Sequence, residues 1–196
     1  MFNNIPEEIL NRMEYLFKID EEDRKDGTPR LQRLRQIPPD TGKFIALLLA
    51  SSPEGIAVEI GTSAGYSTMW LGIACREVEK KLYTFELLEE KIKLAEETFS
   101  LTKLNDVVIL VKGDALENID EFENISFCFL DAEKSMYYRC YEKIIPKLVK
   151  GGILVADNAI NHYEALKPMI EMAMDDDRVD SVVVPIGKGE LICRKR

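Results

Sequence analysis

The chain has 196 residues, 46% of them hydrophobic and 31% charged, which is the profile of one self-sufficient soluble domain and not of a disordered or fibrous protein. The net charge of −9 argues against sequence-independent binding to nucleic acid. No apolar run nears the ~20 residues of a membrane span, and the first residues lack the plan of a signal peptide, so the expectation is a cytoplasmic protein with no membrane contact.

The pattern predicts helices over residues 6–19 and 28–36. Pro38-Pro39 interrupts it, and Asp40 or Thr41 can cap a helix running to residue 51. Arg24, Lys25, Arg30, Arg33 and Arg35 make this stretch locally basic, as a solvated helix face does or as an RNA contact would. Strand-like apolar segments then occupy residues 56–60, 81–86, 107–111, 126–130 and 153–156. Helical patterns at 65–76, 88–101, 115–120 and 137–149 lie between them. A helix over 165–174 leads to two last strands at 181–185 and 190–194, joined as a hairpin by Ile186-Gly187-Lys188-Gly189. Strands alternating with helices imply an α/β, doubly wound, mostly parallel seven-stranded sheet with helices on both faces and a C-terminal antiparallel hairpin. The expected organisation is one domain, residues 1–196, with N-terminal helices in 1–51 and the sheet core in 52–196. The four cysteines form no Cys-x-x-Cys pair and share the chain with a single histidine, so buried reduced thiols are expected rather than a zinc site.

In sheets of this kind ligands sit beyond the carboxyl ends of the strands. The first strand ends in Glu59 and a turn from Gly61 to Gly65, where glycine permits positive φ and close approach of a ligand, and the free N–H groups of the next helix can hold an anion. The G-x-x-x-G spacing departs from the G-x-G-x-x-G of dinucleotide folds, which weakens a nicotinamide oxidoreductase. Glu86 closes the second strand, where an acid suits the two hydroxyls of a ribose. Asp114, after the third, can accept from an adenine amino group or cap the following helix. The fourth strand ends in Asp131, with Lys134 three residues on, and the fifth in Asp157-Asn158. Two carboxylates and an amide oxygen at adjacent strand ends form a hard-oxygen set suited to Mg²⁺, although a helix cap and a turn would account for them separately.

Taken together, Glu59 to Ser67, Glu86, Gly113-Asp114-Ala115, Leu130 to Lys134 and Gly151 to Asn158 resemble the metal-dependent class I O-methyltransferases, the group of catechol and caffeoyl-CoA O-methyltransferases with a Rossmann-like sheet. Tyr137, Tyr141 and Pro185 to Gly189 fit the same pattern, which runs from about Arg35 to the C-terminus. The resemblance implies S-adenosylmethionine as donor. Glu59, Gly61, Thr62, Ser63, Gly65 and Ser67 would surround its amino-acid part, Glu86 its ribose, and Asp114 with Ala115 its adenine, with Asp131 beside it. It further implies a divalent metal, Mg²⁺, on Asp131, Asp157 and Asn158, and Lys134 as general base. The expected partner is a small hydroxylated acceptor, catechol-like or a vicinal diol, with the chain as a homodimer. A tRNA hydroxyuridine is the alternative acceptor, supported only by the basic segment. After Asn158 the family's Trp- and Gly-containing loop is replaced by Ala159 to Leu166, which puts His162 and Tyr163 within reach of an acceptor.

Overall fold

The computed structural model describes residues 1–196 and is built on a seven-stranded sheet of order β3-β2-β1-β4-β5-β7-β6. The strands are β1 (Ile56–Ile60), β2 (Leu82–Glu86), β3 (Val108–Lys112), β4 (Ile125–Leu130), β5 (Leu148–Ala156), β6 (Val179–Val184) and β7 (Glu190–Lys195). Strands β1 to β5 pair in parallel, and β7 pairs antiparallel with both β5 and β6. The expected doubly wound sheet with its C-terminal hairpin is therefore present. The order reverses between β1 and β4, which sets the crevice for a ligand above their carboxyl ends.

Alternation along the strands divides the core between two faces. Ala57, Phe127, Phe129 and Val155 point to one, where α1 (Glu7–Asp23), α2 (Pro39–Ala50), α3 (Tyr66–Glu77) and α4 (Glu89–Leu101) pack. Val58, Ile60, Cys128, Leu130 and Leu154 point to the other, covered by α5 (Ala115–Asn118), α6 (Tyr137–Lys147) and α7 (Tyr163–Asp175). Strand β4 is buried along its whole length because it is flanked by β1 and β5 and covered above and below. Helix α3 is buried from Tyr66 to Cys75, which explains why its sequence is apolar all round: the sheet takes one side and α1 and α2 the other. All four cysteines are buried and unpaired, with the Cys75 and Cys140 thiols pushed up to about 12 by burial. No helix is long and apolar enough to cross a membrane.

Two elements differ from expectation. Residues 28–36 form no helix; a single turn over 30–33, closed by Gln32 and Arg33 N–H donating to Pro29 O, gives way to extended chain with Arg35 at φ 54°. Carboxylates of α1 hold this strap instead: Asp23 accepts from Leu34 N at 2.7 Å and Asp20 from Gln36 N at 3.2 Å. Helix propensity loses here to capture of the backbone by buried side chains. Strand β5 begins at Leu148 and not at 153, because the Gly151-Gly152 pair, which reads as a turn, carries the chain through an irregular pairing with β4.

Candidate active site

A cavity of about 600 Å³ opens above the carboxyl ends of β1, β2 and β4. Its floor is the turn after β1. Gly61 has φ 105°, and a Cβ there would stand 2.2 Å from the backbone oxygen of Asp131, so only glycine lets the ends of β1 and β4 approach this closely. Gly61 and Thr62 N–H both donate to Phe85 O at 3.1 Å, and Asp131 N–H donates to Ile60 O at 3.0 Å, locking the three strand ends together. Gly65, at φ 88°, starts α3, and a Cβ there would meet the Phe99 ring at 2.8 Å.

Gly61, Thr62, Ser63 and Ser67 line the cavity, as expected; Glu59 and Gly65 do not. Glu59 is fully buried on β1, and both its oxygens are engaged: Ser67 Oγ donates at 2.5 Å, Thr68 Oγ1 at 2.5 Å and Thr84 Oγ1 at 2.6 Å. Burial pushes its carboxyl up to about 7 against the pull of these hydroxyls. Glu59 is thus set behind the cavity wall, where it holds the hydroxyl of Ser67, a residue that does line it.

Glu86 lines the cavity at 9% exposure, with Oε2 accepting from Ser63 N at 2.8 Å and Oε1 from Leu87 and Leu88 N at 3.0 and 2.9 Å. A carboxylate has about four acceptor positions, so one remains for a ligand hydroxyl. Asp114 and Ala115 lie on the same wall, and Asp114 caps α5 through Leu116 N at 2.8 Å while still lining the cavity.

At the other end Lys134 Nζ donates to Asp131 Oδ1 at 3.1 Å and to Tyr137 Oη at 2.7 Å, and stands 4.5 Å from the Tyr137 ring centroid. Tyr137 is fully buried, and burial together with Asp131 raises its hydroxyl well above the ordinary value, so it remains a neutral partner for the ammonium. Asn158, at φ 73°, lines the cavity with Asp131, whereas Asp157 is fully buried and does not. Asp157 Oδ1 accepts from Asn158 N at 2.7 Å. Against it lies Glu190 of β7, fully buried, its carboxyl hydrogen-bonded to that of Asp157; no motif pointed to this residue. Burial and the neighbouring Asp157 charge push Glu190 well up, and burial and Asp131 push Asp157 up. No three His, Cys, Asp or Glu side chains close on a common point at metal-ligand distances.

The strap roofs the cavity. Leu34 O accepts from Ser63 Oγ at 3.2 Å, and Arg35 pairs with Glu133 at 2.6 Å, tying the N-terminal segment to the segment after β4. Arg30, Leu31 and Leu34 line the inner side. His162 lies in the opposite wall, while Tyr163 begins α7 outside the cavity.

A doubly wound sheet with a glycine turn after β1, an acid after β2 and a Lys–Asp pair after β4 defines a nucleoside-dependent group-transfer enzyme. The comparison with known proteins makes the class specific. Residues 11–196 match the O-methyltransferase family model, so the chain belongs to the O-methyltransferase family and is an enzyme of methyl transfer and not of hydride transfer. It is 25% identical over 182 residues to tapetum-specific methyltransferase 1 of Arabidopsis thaliana, covering 81% of this chain and 77% of that one. To the caffeoyl-CoA O-methyltransferase of Medicago sativa it is 23% identical, covering 80% and 73%. The solved O-methyltransferase of Bacillus cereus in complex with SAH superposes with a TM-score of 0.80 at 22% identity, over 95% of this chain and 91% of that one.

Proposed function

We propose that the chain transfers a methyl group from S-adenosylmethionine to a hydroxyl of a small catechol-like or vicinal-diol acceptor, with Lys134 as the base and a divalent cation, Mg²⁺, held by Asp131, Asp157 and Asn158. The observation that carries this reading is the placement of Lys134 Nζ, 3.1 Å from Asp131 Oδ1, in the same cavity as the glycine turn and Glu86. Family membership and the SAH complex of the Bacillus cereus protein support the donor. For the cation, the donor chemistry fits: Asp157 is a buried carboxylate adjacent in sequence to the amide of Asn158, and the neighbouring Asp131 charge raises it, a repulsion that a divalent cation would relieve.

When bound, the donor supplies an electrophilic methyl and the cation makes an acceptor hydroxyl more acidic. The chain's own residues do the rest. Ser67, the turn from Gly61 to Ser63 and Glu86 would hold the donor in the cavity that Asp131 and Lys134 also line. Lys134 would serve as the base at Nζ, with Asp131 Oδ1 and Tyr137 Oη, which accept from it in the structure, placed to hold the resulting ammonium. The strap, pinned by Arg35 to Glu133, covers part of the cavity, and the neutralisation of opposite charges in transfer is favoured to the extent that water is kept out.

The test is transfer of labelled methyl to catechols with and without EDTA. Turnover by Lys134→Met equal to wild type would overturn the base assignment, and undiminished activity in excess EDTA would overturn the metal.

A further inference from the structure

Helix α4 carries a charge where its own pattern calls for an apolar residue. Its buried stripe is Lys91, Ile92, Ala95, Thr98 and Phe99, while Glu89, Glu90 and Lys93 face outward. Lys91 is 5% exposed and lines the cavity. Elsewhere the charges are matched: Lys134 pairs with Asp131, and the exposed Lys93 with Glu89. Lys91 has neither an ion-pair nor a hydrogen-bond partner within the protein. It also falls in the first turn of α4, where the helix dipole disfavours a cation. Burial holds its ammonium below the ordinary value, and Glu86 is the charge that most opposes this. A methionine would fill the position at less cost, so the ammonium answers to something that enters the cavity.

What enters lies beside Glu86. That carboxylate ends β2, Leu88 follows as the N-cap of α4, and Lys91 stands one turn further along, all three lining the cavity. Glu86 already accepts from three backbone N–H groups, two on Oε1 and one on Oε2, which leaves one acceptor position, on Oε2. A ribose presents two neighbouring hydroxyls, and a single position satisfies only one of them. The second needs a partner other than Glu86. An ammonium has donors and no acceptor, and a hydroxyl oxygen can accept from it. A vicinal diol held in this way joins two opposite charges that stand too far apart to pair directly.

Resting on the reading of S-adenosylmethionine as methyl donor, we propose that Lys91 binds that donor: its ammonium donates to one ribose hydroxyl while Glu86 accepts from the other. The empty protein carries an unpaired buried charge, and the bound ribose relieves it. Affinity is thereby gained at a position where stability of the empty chain is lost.

The experiment measures binding of SAH and of its 2′-deoxy and 3′-deoxy ribose analogues by calorimetry, with no metal or acceptor present. The proteins are wild type, Lys91→Met, Lys91→Gln and, as a control on the outward face of the same helix, Lys93→Gln. Lys91→Met is expected to weaken SAH roughly ten- to hundred-fold, the range of a hydrogen bond to a charged group. Lys91→Gln, whose amide still donates, weakens it less, and Lys93→Gln leaves it unchanged. The deoxy analogue lacking the hydroxyl that Lys91 holds loses several-fold less from Lys91→Met than SAH does, whereas the other analogue loses as much. Without ligand, Lys91→Met melts at or above the wild-type temperature. In turnover the KM for the methyl donor rises and that for the acceptor holds. Unchanged SAH affinity in Lys91→Met overturns the proposal, as do equal losses for SAH and both analogues, or a rise in the acceptor KM alone; the comparison of analogues decides even where the variant melts lower. Wild type that binds no SAH refutes the methyl-donor reading itself. Wild type that binds SAH and both deoxy analogues equally leaves that reading standing and overturns only the assignment of Lys91.

Discussion

Glu59→Gln isolates the energetics beneath the donor site. The wild-type carboxyl is fully buried and titrates at about 7 in the folded chain against an ordinary 4.5. Below pH 4.5 it is neutral in both states. Between 4.5 and 7 the unfolded chain releases the proton while the folded chain retains it, so the stability contributed by the neutral form falls as pH rises and is lost above 7. A shift of that size corresponds to about 3 kcal/mol. Glutamine has the shape of the neutral acid, and its amide can use the hydroxyls of Ser67, Thr68 and Thr84, so the variant lacks the loss. Urea unfolding of both proteins at pH 4.5, 6, 7 and 8 is expected to show Glu59→Gln gaining about 3 kcal/mol on wild type across the series, or several degrees in Tm. The Asp157–Glu190 pair titrates in the same direction but is common to both proteins and cancels in the difference. Parallel pH profiles would refute the account, because they would mean that the three hydroxyls hold the carboxylate as comfortably as water does.

Gly61→Ala drives a Cβ into Asp131 O at a φ of 105°, and is expected to destabilise the chain by about 3 kcal/mol or more and to weaken SAH binding in calorimetry. Lys134→Met should lower kcat by roughly 10²–10⁴-fold with SAH affinity preserved, measured by labelled methyl transfer. Glu190→Leu removes a buried acid that burial and the Asp157 charge push well up, and should raise stability at pH 8 by about 1–3 kcal/mol and less at pH 5, read by urea unfolding. Arg35→Ala cuts a half-exposed ion pair to Glu133 and should cost no more than about 1 kcal/mol in stability, while trypsin cleavage after Arg30 and Arg33 accelerates as the strap loosens.

The part of the cavity lining that ends or directly follows a strand was legible in the sequence. Gly61 and Glu86 are found by locating the end of an apolar run, and a parallel sheet brings all such ends to one edge. Glu59 lies one residue too early for that rule: it precedes the turn, so strand alternation turns it into the protein, where Ser67, Thr68 and Thr84 take both oxygens. The strap was misread for a related reason. The 28–36 pattern has helical residues, but its backbone donors at Leu34 and Gln36 are taken by Asp23 and Asp20 of α1, and no local pattern reveals such a partner.

Sequence by itself determined what depends on neighbours along the chain: the alternation of strands and helices, the glycine turn, the cap at Asp114 and the Asp131–Lys134 spacing. Tertiary structure alone decided what depends on residues far apart. It brought Arg24, Arg30 and Arg35 of the basic segment to the cavity, and set Glu190 of the last strand against Asp157 of the fifth. The physical reason is that periodicity and turn chemistry are short-range properties of the backbone. Burial and electrostatic pairing are fixed only once β7 inserts beside β5 and the strap closes over β1.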